Sequence, residues 1–71
     1  MISFYPNSIH PADAIRMAIE QEKQSMEFYK KAAEKMDDPG TRKMFEALSK
    51  QEVEHQRILE EELEREIYKD N

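Results

Sequence analysis

Three side chains in this sequence combine metal-binding chemistry with positions where apolar residues are expected. Glu52 and His55 stand three residues apart, and Glu22 lies in the earlier half of the chain. Residues three apart on a helix share a face, so Glu52 and His55 can converge on one ion. Carboxylate oxygens with one imidazole nitrogen suit Fe(II), and also Mn(II) or Zn(II). We therefore treat Glu22, Glu52 and His55 as candidate metal ligands.

The spacing of apolar residues predicts two amphipathic helices that carry these ligands on their buried faces. The apolar residues of helix 1 are Ile15, Ala18, Ile19, Met26, Tyr29, Ala32, Ala33 and Met36, and those of helix 2 are Phe45, Leu48, Leu59, Leu63 and Ile67. Glu22 falls seven residues from Ile15 and from Tyr29, which places it on the apolar face. Since a carboxylate is almost never fully buried unless it is paired or bound to metal, this placement requires an explanation.

Proline and polar capping residues predict where the helices begin. Pro11 suits the first turn of helix 1, with Ser8 or His10 as its N-cap, and Asp38-Pro39 repeats this pattern for helix 2. We expect one all-α unit over residues 1–71, with an N-terminal arm at 1–10, helix 1 at about 11–36 and helix 2 at about 39–68. The short connection makes the helices antiparallel.

The three candidate ligands should lie at one level of this hairpin. Counted from a turn near Asp38, Glu22 lies about 16 residues back, Glu52 about 13 forward and His55 about 16 forward. At about 1.5 Å per residue, these positions agree to within about 5 Å. One hairpin therefore offers two carboxylates and one imidazole at the same height.

Chain length and composition indicate that the hairpin does not act alone. Seventy-one residues without cysteine fall near the size at which a single core needs a metal or a partner subunit, and no disulfide or thiolate site can help. A homodimer would bury both apolar stripes in a four-helix bundle and double the ligand set to four Glu and two His. Four carboxylates would balance two divalent ions. A higher oligomer is left open.

The charge balance argues against several other classes of protein. A net charge of −5 lacks the basic footprint of a nucleic-acid or anionic-membrane binder. Apolar runs of two or three residues are far shorter than the ~20 that a membrane span needs. Residues 1–4 lack the features of a signal peptide. We therefore expect a cytoplasmic protein that binds neither nucleic acid nor membrane.

The motifs of residues 12–67 resemble one half of a rubrerythrin-type ferritin-like domain. The resemblance rests on residues 18–22 (AIEQE), 28–29 (FY), 32–34 (AAE), 38–39 (DP), 45–48 (FEAL) and 51–55 (QEVEH). The spacing is also similar to that of the encapsulated ferritins, whose two-helix subunits build a di-iron centre across a dimer interface. The resemblance implies Glu22, Glu52 and His55 as iron ligands, two ions per dimer, and Tyr29 beside the metals. It also implies oxidation of Fe(II) by O₂ or H₂O₂, for iron handling or peroxide detoxification.

The chain departs from these families in ways that bear on activity. Rubrerythrins carry both halves in one chain, and many add a cysteine-bearing electron-transfer module, so a peroxidase role here would need an external electron donor. The encapsulated ferritins place extra acids beside the helix-1 ligand, where this chain has Gln21 and Gln24. No short hydrophobic tail follows Ile67, so these residues do not support packaging inside a protein shell, and the question is left open.

Each functional interpretation of these residues has a purely structural alternative. Any Glu-rich helix with a histidine can contain Glu-x-x-His, Glu22 could pair with a lysine at the edge of the stripe, and Tyr29 could simply pack. The methionines are expected to fill the helix interface, the acidic cluster at residues 60–66 to form a solvated face, and the arm at 2–6 to cover one end of the hairpin or contact another subunit. The alternative function is a non-catalytic helical dimer, metal-stabilised or metal-free, that serves as an interaction module.

Overall fold

Residues 8–69 of the computed structural model form two long helices joined by a short turn. Helix α1 runs from Pro11 to Lys35 and helix α2 from Pro39 to Lys69. They contact each other along their length, and the described residues contain no strand. The predicted helical hairpin is confirmed, and the two helices lie within one residue of the predicted bounds. The predicted roles of the arm at 2–6 lie outside the described residues.

Side-chain capping fixes the start of both helices. His10 Nδ1 accepts a hydrogen bond from the Ala12 N–H at 3.0 Å, so His10 caps α1. Asp38 Oδ2 accepts from the Thr41 N–H at 2.8 Å and from the Thr41 hydroxyl at 2.7 Å, which caps α2. These bonds, with the side-chain bond first, lower the pKa of Asp38. Each cap satisfies a backbone donor that the helix cannot satisfy itself.

Arg42 holds the turn closed from the α2 side. Its Nε donates to the carbonyl oxygen of Met36 at 3.0 Å, and its Nη2 donates to that of Asp37 at 3.2 Å. Carbonyl groups at the end of a helix lack intrahelical partners, and a cation there also opposes the helix dipole. One arginine therefore terminates α1 and fixes the direction in which the chain enters α2.

The core of the isolated hairpin is small. Within the described residues, buried hydrophobic side chains are confined to Ala12, Ile19 and Ala33. Larger apolar side chains remain exposed at Ile9, Met17, Phe28, Met44, Val53, Ile58, Ile67 and Tyr68. The backbone spans 50 × 26 × 12 Å, which is one layer of helices. A single layer cannot cover both sides of its apolar seam, because each helix has a neighbour on one side alone.

The hairpin has two unlike sides. On one side an open groove is lined by apolar residues and by charged residues of both signs. The charged residues are Glu27, Lys30 and Glu34 from α1, Asp37 from the turn, and Arg42, Glu46 and Lys50 from α2. We call this side the groove face. Glu27 follows Glu22 by five residues, which is a rotation of about 140° on a helix, so Glu22 lies on the other side of the seam. We call that side the ligand face.

No helix in the described part of the chain is long and apolar enough to cross a membrane.

Candidate metal centre

The structure brings the three predicted ligands together across the helix seam. His55 Nδ1 lies 3.4 Å from Glu22 Oε2 and 3.6 Å from Glu52 Oε1. One ligand atom from each of the three residues lies within 4.8 Å of the other two. Glu52 and His55 meet because they are three residues apart on α2, and Glu22 reaches them from α1 because the turn sets all three at one height. The residues thus form a compact group of two carboxylates and one imidazole.

The carboxylates are more covered than the imidazole. The side chain of Glu52 is 14% exposed and that of Glu22 is 25% exposed, whereas that of His55 is 54% exposed. The group is therefore buried toward α1 and α2 but open on the ligand face. An additional ligand, a partner subunit or a small reactant can approach from the His55 side.

One oxygen of Glu22 has no hydrogen-bond partner. Among the described residues, Glu22 Oε2 is the buried side-chain polar atom left unsatisfied. A buried acceptor without a donor costs roughly 1–3 kcal/mol, and more for a charged group. The same oxygen faces His55 Nδ1 and belongs to the three-residue group. A cation bound among these atoms would satisfy it.

Electrostatics at the site favour an added positive charge. The pKa of Glu52 is raised, first because its protonated form can donate a hydrogen bond to the Glu22 carboxylate, then by burial and by the negative charge of Glu22, while His55 acts in the opposite direction. Two carboxylates this close repel each other unless a proton or a cation lies between them. Without metal, Glu52 therefore holds a proton more tightly than a lone carboxylate does.

The donor set fits a divalent transition metal. Two carboxylates and one imidazole nitrogen suit Fe(II), Mn(II) and Zn(II), whereas a soft ion would select thiolate or thioether ligands. Three protein ligands leave coordination positions open, and the open ligand face can supply them. The residues of one hairpin therefore fit half of a carboxylate-bridged metal centre, with the rest to come from outside the hairpin.

Tyr29 occupies a packing position across the seam. Its ring stacks on Phe45 of α2 with centroids 6.1 Å apart, and it meets Phe28 edge-on at 5.7 Å. Tyr29 lies one heptad beyond Glu22, about 10 Å along α1. Packing thus accounts for an aromatic ring at position 29, and the predicted place of Tyr29 beside the metals stays a prediction.

The other chemically active side chains lie away from the group. His10 caps α1. Met26 and Met36 line the groove face, and Met17 and Met44 are exposed, so none of these four joins the three ligands. The methionines thus remain interface or surface residues.

The acidic cluster near the end of α2 is not uniformly solvated. Glu60, Glu61 and Glu64 are exposed, as expected for a solvated face, but the Glu66 side chain is 15% exposed and pairs with Lys69 at 3.2 Å. The prediction was wrong for Glu66 because this residue falls fourteen positions after Glu52 and so continues the stripe that faces α1. The spacing of two heptads between Glu52 and Glu66 could have predicted from the sequence that Glu66 lies on the buried stripe.

Comparison with known proteins identifies a matching protein family. The family model described as Rubrerythrin matches residues 2–65 of the 71-residue chain. No curated protein and no solved structure shows significant similarity to it.

Proposed function

The chain belongs to the rubrerythrin family, and we propose on this basis that it is a di-iron carboxylate protein that oxidises Fe(II) with O₂ or H₂O₂. The observation that carries the proposal is the convergence of Glu22, Glu52 and His55 within 4.8 Å, with Glu22 Oε2 buried and unsatisfied. Iron fits this donor set. When bound, two ferrous ions supply two electrons together to the oxidant.

Glu22, Glu52 and His55 are the proposed protein ligands, and each has a distinct task. Glu52 is the most covered of the three, and because its pKa is raised beside Glu22, metal must compete with a proton for this carboxyl group as the pH falls. Glu22 contributes the oxygen that has no donor in the hairpin. His55 binds through neutral imidazole and stands at the side of the group that is open in a single hairpin.

A second copy of the chain is the proposed partner that completes the centre. One hairpin leaves His55 more than half exposed and leaves Met44 and Ile58 exposed on the ligand face of α2. Two hairpins placed ligand face to ligand face would cover these groups and bring two ligand sets together. The resulting four carboxylates and two imidazoles are the ligand set of ferritin-like carboxylate proteins. Their four negative charges would offset two divalent ions, which a monomer cannot do.

The chain contains no cysteine to pass electrons to the site. Sustained reduction of H₂O₂ therefore requires an external electron donor, whereas oxidation of Fe(II) as substrate needs none because the iron itself supplies the electrons. The reaction proposed for the chain by itself is thus ferrous oxidation.

Ferrous oxidation followed by absorbance tests the proposal. Protein loaded anaerobically with Fe(II) and then mixed with O₂ or H₂O₂ should form ferric product faster than iron in buffer. Glu22→Ala and His55→Ala should lower the protein-dependent rate by at least about 100-fold, since they remove ligands rather than residues that support ligands. Glu20→Ala, which removes an exposed carboxylate two residues away, is the matched control and should keep the rate. A wild-type rate equal to that of buffer would refute the proposed activity.

A further inference from the structure

We propose that the groove face is a second association surface, separate from the metal centre, and that it takes another copy of this chain. Two hairpins would pair there about a two-fold axis parallel to their helices, so that α1 of each lies against α2 of the other. Because the groove face and the ligand face are opposite sides of the hairpin, this contact does not use the proposed metal ligands. It would join metal-centred dimers through their outer faces.

Residues of opposite charge stand at the same height on the two sides of the groove. In antiparallel helices, residues at one height have numbers with a constant sum, and the pairs in contact across the seam have sums of 74, for Tyr29 and Phe45, and 77, for Glu22 and His55. Three groove pairs of opposite charge have sums of 76 or 77: Glu27 with Lys50, Lys30 with Glu46, and Glu34 with Arg42. Combinations of like sign among these six residues have sums of 72, 73 or 80, outside that range. We call the six residues the charge ladder.

The charge ladder is not closed within one hairpin. Glu27 pairs with Lys31 on its own helix, and Arg42 donates to carbonyl groups of the turn. The other four ladder residues make no ion pair within residues 8–69. All six are exposed, and Val53, which lines the same groove, has 55% of its surface exposed. Unpaired charges of both signs beside an exposed apolar residue suit a partner that carries the complementary order of charges.

A second copy of the hairpin carries that complementary order. An interface about a two-fold axis must match itself, since the same patch of surface lies on both sides. An axis parallel to the helices sets α1 opposite the partner's α2 with all heights kept. Each ladder residue then meets, on the partner, the residue of opposite charge with which it shares a height. Each of the three pairs occurs twice in such an interface.

The same match continues toward the open end of the hairpin. Arg16 precedes Glu34 by 18 residues, and Glu60 follows Arg42 by 18 residues. Eighteen residues are five helical turns, so Arg16 and Glu60 lie on the groove face in line with the ladder. Their numbers sum to 76, and their charges are opposite. The charge order therefore covers most of the length of the hairpin.

An axis across the helices fits the charges less well. To overlap the helices fully, it would have to pass near Lys23, the midpoint of α1. Arg16 and Lys30 lie seven residues on either side of Lys23, so Arg16 would meet the partner's Lys30, and two cations would be in contact. The order of charges thus favours the axis parallel to the helices.

The contact should be weak and sensitive to salt. Exposed ion pairs contribute little to binding, and salt screens them. Hairpins that pair through the groove face alone should therefore separate at low protein concentration or high ionic strength. A metal-centred dimer, if it forms as proposed, has a groove face on each outer side. Such dimers should associate into tetramers and larger species at high protein concentration and low ionic strength.

Sedimentation velocity of the Zn(II)-loaded protein over a range of concentrations at low ionic strength tests the surface by charge exchange. Lys30→Glu alone and Glu46→Lys alone each set like charges opposite each other twice, so each should lower the association constant at least about 10-fold. The double variant Lys30→Glu/Glu46→Lys restores opposite charges and should associate as the wild type does. Lys43→Glu, which makes the same change at an exposed residue outside the groove, is the matched control and should have no effect.

Two results would overturn the proposal. One is a wild-type protein that forms nothing larger than a dimer at any concentration in low salt. The other is a double variant that associates no better than the single variants, since an axis across the helices does not bring Lys30 to the partner's Glu46. If the double variant recovers thermal stability but not association, Lys30 and Glu46 pair inside one hairpin, and the proposal is equally overturned. Circular dichroism verifies that each variant remains helical.

The test separates this surface from the proposed function. None of the exchanged residues is a proposed metal ligand, so ferrous oxidation should be unchanged in all four variants. Loss of the larger species with unchanged oxidation supports the groove face as an association surface of its own. If the chain binds no metal, the same charge dependence should still appear in the pairing of metal-free hairpins at high protein concentration. The inference therefore stands or falls apart from the proposed function.

Discussion

His55 Nδ1 on α2 lies 3.4 Å from Glu22 Oε2 on α1, so the two helices meet through an imidazole and a carboxylate at the centre of a seam that is otherwise mostly apolar. The two atoms form no hydrogen bond, and Glu22 Oε2 has no other donor. A polar contact that leaves a buried oxygen unsatisfied does not improve the stability of the hairpin by itself. The contact becomes favourable when a cation lies between the two groups.

Replacing Glu52 by leucine should separate stability from function. Glu52→Leu removes a mostly covered carboxylate that repels Glu22, so the metal-free protein should gain roughly 1–2 kcal/mol of unfolding free energy. The variant should lose the stabilisation that Fe(II) or Mn(II) gives to the wild-type protein. Thermal unfolding of both proteins with and without metal measures the two effects. A wild-type protein whose melting temperature does not change with metal would contradict the assignment.

The pH dependence of the metal-free protein should show the raised pKa of Glu52. A carboxyl group whose pKa is higher in the folded state adds stability below its unfolded pKa, and this stability is lost as the pH rises through the folded pKa. Glu52→Gln cannot titrate at this position. The difference in unfolding free energy between Glu52→Gln and wild type should therefore be small in acid and should grow in favour of Glu52→Gln above the folded pKa. A difference that is constant with pH would show that Glu52 does not titrate abnormally.

The cap of α2 should respond to pH with the opposite sign. Hydrogen bonds from Thr41 lower the pKa of Asp38, so the stability from this contact is present above the unfolded pKa and is lost as the pH falls through the folded pKa. Asp38→Ala should lower the melting temperature by a few degrees near neutral pH, whereas Asp38→Asn, which still caps, should lower it less. Asp37→Ala is the matched control. Equal losses for Asp37→Ala and Asp38→Ala would show that the cap contributes nothing of its own.

Two variants at Tyr29 distinguish packing from a role of its hydroxyl group. The ring stacks on Phe45, so Tyr29→Leu should lower the unfolding free energy by about 1–3 kcal/mol, while Tyr29→Phe should keep it. If the hydroxyl acts beside the metals, Tyr29→Phe should slow ferrous oxidation without changing metal affinity. Unchanged oxidation kinetics in Tyr29→Phe would leave Tyr29 as a packing residue.

Much of the fold could be predicted from the sequence because the local signals agree. Proline after a capping residue marks the start of both helices, and His10 and Asp38 make the expected caps. The spacing of the apolar residues predicted which faces of the two antiparallel helices contact each other. The contribution of Arg42 to the turn could not be predicted, because its partners are backbone carbonyl groups that carry no sequence signature.

The candidate site was predictable for the same reason: helical rise and the position of the turn fix the heights of Glu22, Glu52 and His55. The unequal exposure of the three side chains could not be derived, because it depends on how closely the helices pack at that height. The prediction that Glu66 lies at the surface was wrong, because it rested on the charge of the acidic cluster and did not consider the position of Glu66 on the buried stripe. The second copy remains a proposal of this account, since one hairpin contains half of the proposed ligand set.

The most direct test of the central claim is the iron content of the assembled protein, measured by sedimentation with metal analysis after anaerobic loading with Fe(II). We expect a dimer that holds two iron ions, or about one per chain, and we expect both the iron and the dimer to be lost in Glu22→Ala and His55→Ala. Glu20→Ala should bind iron as the wild type does. A folded chain that binds no iron, or that binds the same amount after Glu22 and His55 are replaced, would contradict the claim that the ligand face forms half of a di-iron centre.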